Sequence, residues 1–166
     1  MAKVLIIDTS ILCVYLALPG FERCGPDADP WDYQRVHAKI AAERTNQTSF
    51  VLPLATIIET GNHIAQLKGD PYPYAQKLAE IIRACCDNEI PWTAFSAQGE
   101  LWSDETLRDL ANTWPEQAGR RTSIGDATIA LVASYYHDLS QTVEILTGDA
   151  GLKVLEPFRR NVPRRR

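Results

Sequence analysis

Apolar residues in this chain come in short unbroken runs followed by stretches at helical spacing, and that switch of period recurs from one end to the other. Val4-Leu5-Ile6-Ile7 is stopped by Asp8, after which Ile11, Leu12, Tyr15 and Leu16 recur at helical spacing. A short apolar run ended by a turn residue reads as a buried strand, and the spacing after it as one face of a helix. Phe50-Val51-Leu52-Pro53 predicts a second strand, followed to Lys68 by a helix carrying Ile57, Ile58, Ile64 and Leu67. Pro71 and Pro73 mark a break before another helix striped by Ala75, Leu78, Ala79, Ile82, Ala84 and Cys85. Trp92 to Phe95 predicts a weaker third strand. Residues 103–113 predict a helix stopped at Trp114-Pro115, because proline disfavours helix at the residue before it. Ser123 opens a helix running to about His137, and Val143 to Thr147 predicts the fourth strand. The Pro- and Gly-rich stretch 19–30 predicts a long loop, a candidate lid or partner surface, with a helix from Trp31 to about Arg44 after it.

Strands alternating with helices pair in parallel through right-handed crossovers. The pattern therefore predicts an α/β fold, a three-layer α/β/α sandwich with a central, mainly parallel sheet of four to five strands. The length of 166 residues fits one domain by the usual span of roughly 100–200 residues. We expect that domain over 1–158, with a basic C-terminal tail over 159–166.

Charge changes the picture. The formal net charge is −4, but Arg159, Arg160, Arg164, Arg165 and Arg166 are five of the seventeen basic residues. Residues 1–158 keep twelve basic against twenty-one acidic residues, a formal charge of −9. An acidic body with a basic arm suits a protein that gathers carboxylates at a site and holds a polyanion or an acidic partner; a solvated tail explains the arm equally well. Asp8 splits the apolar start, and neither half approaches the roughly 20 residues of a membrane span. Cysteines 13, 24, 85 and 86 lack metal spacing. Cys85 and Cys86 read as small buried hydrophobes in a reducing cytoplasm.

Four acids stand where a strand runs out or a helix begins: Asp8, Glu59, Asp126 and Asp149. Open α/β sheets bind ligands along the carboxyl edge of their strands. Each acid alone has a plain structural reading. Asp8, Asp126 and Asp149 suit helix caps or first turns, Asp149 also suits a turn, and Glu59 shares its face with Asn62, His63 and Gln66. Together they predict one carboxylate cluster, whose members would repel and raise one another's pKa values unless a cation neutralised them. Oxygen ligands without Cys or His favour Mg2+ or Mn2+.

Asp8-Thr9-Ser10 after the first strand, Glu59 in Leu54-Ala-Thr-Ile-Ile-Glu59, Ser123-Ile-Gly-Asp126-Ala and Leu146-Thr-Gly-Asp149 together resemble the PIN-domain nucleases in order, spacing and element. The resemblance implies a compact α/β/α fold, Mg2+- or Mn2+-dependent hydrolysis of RNA phosphodiester bonds by an endoribonuclease, and service as the VapC-type toxin of a toxin–antitoxin pair. It implies that Asp8, Glu59, Asp126 and Asp149 are the metal-binding and catalytic acids, with hydroxyls of Thr9 or Ser10 and of Thr147 beside the metal or its waters. It also makes a homodimer and an antitoxin protein the expected partners. The segment Pro19 to Thr48 is longer than in the small toxins, and the arginine tail is foreign to the family motif. Substrate-binding charge is expected from Arg120 and Arg121, which loop solubility also explains, and from the tail. Trp31, Trp92, Trp102 and Trp114 offer stacking surfaces for bases or ordinary packing. Two rivals stand beside this reading: a PIN-like binding module for nucleic acid or protein without catalysis, and a metal-dependent phosphatase of the haloacid-dehalogenase kind, which needs an acid at the position of Ser10.

Overall fold

The computed structural model describes residues 2–158. The elements follow the chain as β1 (Lys3–Ile7), α1 (Thr9–Tyr15), β2 (Arg23–Cys24), β3 (Trp31–Asp32), α2 (Tyr33–Thr45), β4 (Ser49–Val51), α3 (Leu54–Ala65) and α4 (Tyr72–Cys86). A 3-10 helix (Phe95–Trp102) then leads to α5 (Asp104–Gly119), α6 (Ile124–Asp138), β5 (Thr142–Leu146) and α7 (Ala150–Lys153). The main sheet is parallel in the order β4-β1-β5. Its register sets Ile6 between Val51 and Ile145.

The run Val4 to Ile7 is continuous because the central strand is buried on both sides. Leu5 and Ile7 join Phe50, Leu52 and Leu146 in a core with Leu12, Val36, Ile64 and Leu78. Val4 and Ile6 join Val51, Val143 and Ile145 against Ile129, Val132, Ala133 and Tyr136 of α6. Helices thus flank the parallel sheet, consistent with a layered α/β fold. No helix among the described residues is long and apolar enough to cross a membrane.

Several expectations need correction. Among the described residues the main sheet has three strands, not four or five. The segment Trp92–Phe95 makes one isolated parallel bridge, Trp92 to Phe50, flanked by Phe50 N–H donating to Pro91 O at 2.7 Å and Thr93 N–H donating to Phe50 O at 2.9 Å. It goes no further because the chain turns into the 3-10 helix at Phe95. The long loop contains the short antiparallel pair β2–β3, so α2 starts at Tyr33 and not Trp31, with Asp32 accepting from Arg35 N–H at 2.8 Å as its cap. α5 does not stop at Trp114 but runs through Pro115 to Gly119. The carbonyl that loses its donor to proline is that of exposed Ala111, where water can replace it. Cys85 is buried as expected, but Cys86 is exposed.

Five helices end on a left-handed residue, and none of the five is glycine: Ala17, Gln47, Asn88, Arg121 and Ser140. Each is followed by a six-to-one bond back into its helix, as in Leu18 N–H to Cys13 O at 3.1 Å and Thr122 N–H to Gln117 O at 3.0 Å. Lys3, Lys39, Glu43 and Glu144 form a closed ion cluster with four N···O contacts of 2.6–2.9 Å. On the free side of β5, Ile145 N–H donates to Glu156 Oε2 at 2.7 Å and Lys153 Nζ donates to Ile145 O at 2.9 Å.

Candidate functional site

Three of the four acids are placed by helix starts. Asp8 follows β1 directly and caps α1, accepting at Oδ2 from Ser10 N–H at 3.3 Å and Ser10 Oγ–H at 2.7 Å. Asp149 follows β5 by three residues and caps α7, accepting at Oδ1 from Gly151 N–H at 2.6 Å and Leu152 N–H at 3.3 Å. Asp126 lies in the first turn of α6, its N–H donating to Ser123 Oγ at 3.0 Å. Glu59 stands in the middle of α3. The capping readings of Asp8 and Asp149 therefore hold. Both acids do so through one oxygen only, so Asp8 Oδ1 and Asp149 Oδ2 receive no hydrogen bond among the described residues.

Hydroxyls knit the acids together. Thr147 Oγ1 donates to Asp8 Oδ2 at 2.8 Å and accepts from Asp149 N–H at 2.9 Å, so one threonine spans the ends of β1 and β5. Ser10 Oγ accepts from Gly148 N–H at 3.0 Å. Thr9 Oγ1 donates to Glu59 Oε2 at 2.9 Å, drawing α3 toward the start of α1. Glu59 in turn lies on Gly125, where an added Cβ would overlap its carboxylate. Asp8 is buried, Glu59 and Asp126 are half-buried and Asp149 is exposed, so the group opens from the sheet edge to solvent.

The electrostatics agree with this convergence. Burial raises the Asp126 carboxyl above its ordinary value, hydrogen bonds from Ser123 oppose that, and the charges of Asp149 and Asp8 push it further up. None of the four acids has a Lys, Arg or His partner among the described residues; every ion pair lies elsewhere. Uncompensated carboxylates with hard oxygen donors are the chemistry that suits Mg2+ or Mn2+. The spacing is looser than that chemistry requires: among the described residues no three Asp, Glu, Cys or His side chains form a group that could hold an ion.

Arg120 follows α5 and pairs with Glu116 at 2.6 Å, both highly exposed; Arg121 is the left-handed residue after it. The tail arginines of 159–166 lie outside the described residues. Of the tryptophans, Trp92 packs on Phe50 in the core, Trp31 lies under the Arg35 guanidinium at 4.0 Å, and Trp114 Nε1–H donates to Thr122 O at 3.2 Å. Burial lifts the thiols of Cys13 and Cys85 to about 12, which leaves them unreactive.

Glycines were the missed part of the site. Gly125 admits Glu59, and Gly148 admits Cys24, whose Sγ would stand 2.7 Å from a Cβ there. Both precede a site acid, and that repeated Gly-Asp doublet was the signal in the sequence. Comparison with protein-family models, with curated proteins and with solved structures finds no match.

Proposed function

We propose that this chain is a PIN-like, divalent-metal-dependent endoribonuclease. The observation that carries the reading is the convergence of Asp8, Glu59, Asp126 and Asp149 at the carboxyl edge of a parallel sheet, with no cationic side chain among the described residues to neutralise them. Asp8, Asp126 and Asp149 would hold Mg2+ or Mn2+, with Glu59 beside them. The bound ion supplies a more acidic water and stabilises charge on phosphodiester oxygens. Thr147 and Ser10 fix Asp8 through one oxygen and leave the other for binding. Thr9 orients Glu59, and Ser123 steadies the backbone under Asp126. Arg120 and Arg121 would meet substrate phosphates, with the tail as a further phosphate-holding arm. A toxin role with an antitoxin partner, a homodimer and a cytoplasmic setting belong to the same proposal.

A PIN-like binding module without catalysis is the second reading, favoured by the acids' failure to close into a metal-sized group. One experiment separates the two. Purified chain with Mn2+ should bind the ion calorimetrically and cut single-stranded RNA, and Asp126→Asn should lower cutting by at least about 10-fold, the lower end of what loss of even an outer partner of a metal ligand costs, while the domain stays folded. Metal-free wild-type protein that takes up no Mn2+, or an Asp126→Asn protein that cuts like wild type, would overturn the nuclease.

A further inference from the structure

The cavities differ in charge. One, between α3 and α4, is lined by Ile64, Ala75, Leu78 and Ile82 without a charged group. The cavity beside His37 carries Lys77 against two acids, Glu80 and Glu89. Two cavities carry a cation and no acid in their lining: one of about 440 Å3 by the end of α3, with Lys68, and the groove between α5 and α6, about 370 Å3, with Arg120. On a body whose formal charge is −9 both favour an anionic ligand over the surface around them, and the second is built on α6, the helix that carries Asp126.

We infer that the α5–α6 groove is a nucleotide subsite, seating the base of a single-stranded RNA residue next to the phosphodiester held at the acids; this rests on the nuclease reading above. Leu110, Ala130 and Leu131 form an apolar floor, and Gln117, Arg120 and Thr122 form a polar end. The volume of the groove lies in the range of small-ligand sites, roughly 300–1,000 Å3.

Position ties the groove to the acids. Ala130 is four residues after Asp126 on α6, hence one turn along the same face, where Cβ atoms stand about 5–6 Å apart. Thr122 immediately precedes Ser123, which caps the turn that carries Asp126. A ligand lying along α6 therefore reaches the carboxylates without leaving the helix. Bases of single-stranded RNA are recognised by stacking and by hydrogen bonds to their edges, and the Gln117 amide offers both a donor and an acceptor. Among the described residues the Arg120 side chain is held by an exposed pair to Glu116, a weak contact that a phosphate can replace with a bidentate one.

The test uses the full chain and two variants, Ala130→Phe to fill the groove and Gln117→Ala to remove the amide without touching the core. In EDTA, with cutting suppressed, anisotropy of a fluorescein-labelled single-stranded RNA decamer of random sequence should report binding at least about ten-fold weaker in Ala130→Phe. With Mn2+, Gln117→Ala should shift the preferred cleavage positions and raise KM more than it lowers kcat. Wild-type binding in EDTA that Ala130→Phe weakens, with no cutting in Mn2+, supports the groove as an RNA site and sinks the nuclease. Wild-type cutting with unchanged affinity, KM and cleavage positions in both variants overturns the subsite alone, whatever else the groove holds. A wild-type chain that neither binds nor cuts overturns both.

Discussion

Asp8 and Asp149 each cap a helix with one oxygen and keep the other without a partner among the described residues, so the capping role of these residues leaves room for the proposed one. That is why the acids were legible: the end of an apolar run fixes where a strand stops, and the next residue stands at the sheet edge. Glu59 was less legible because its role depends on Thr9, fifty positions away, and no local pattern encodes that contact. Gly125 gives the sharpest residue-scale prediction. Gly125→Ala improves helix propensity by about 1 kcal/mol, yet its methyl displaces the Glu59 carboxylate. The variant should melt within a few degrees of wild type, or slightly above it, while Mn2+-dependent RNA cutting falls at least about ten-fold. A melting curve and a cleavage time course on the same preparation check both halves.

At the scale of elements, beginnings were easier to read than ends. Ser123, Asp8 and Asp149 announce helix starts through their side chains. The usual announcement of a helix end is glycine in the left-handed position, and this chain puts Ala17, Gln47, Asn88, Arg121 and Ser140 there instead. Asn88 is of a type that favours this conformation, but the types of the other four do not distinguish a cap from a helix interior. Pro115 misled in the opposite direction, since the proline rule weighs local sterics while α5 is fixed by its packing on α6. The weak strand at Trp92 shrank to a bridge because its buried indole anchors the segment to Phe50 without a ladder. The caps carry a stability prediction: a left-handed alanine costs about 1–2 kcal/mol that glycine avoids. Ala17→Gly should therefore stabilise the chain by about 1 kcal/mol net of the added chain entropy, raising the melting temperature by roughly 2–4 °C. Calorimetry that shows a fall would mean the cap is not formed in solution.

For the whole molecule, charge is divided along the strand axis. Lys3 opens β1 and belongs to the balanced cluster with Lys39, Glu43 and Glu144, while Asp8 closes the same strand among unbalanced acids, roughly 16 Å away at about 3.3 Å per residue. Burial acts to raise the Glu43 carboxyl, but hydrogen bonds from Lys3, Lys39 and Thr48 override it and hold it at about 2; Glu144 is lowered in the same manner. An acid depressed on folding stabilises above its unfolded value of 4.5, and that stability is lost as pH falls through the folded value. Denaturant unfolding should accordingly show stability dropping from about pH 4.5 toward pH 2. Glu43→Gln should cost about 3 kcal/mol at neutral pH and flatten that acid slope; an unchanged slope would remove Glu43 as its source. This cluster was invisible in the sequence because its members come from three elements over 140 positions.

The pairing around Ile145 has a consequence for how this molecule can meet others. A three-stranded sheet has two outer strands, and an outer strand ordinarily offers its free amides to any extended chain nearby. On β5 the Ile145 amide and carbonyl are already occupied by Glu156 and Lys153, and on β4 the Phe50 amide and carbonyl are occupied by the segment around Trp92. A strand added at either edge would have to displace these contacts, which hinders growth of the sheet and guards against aggregation.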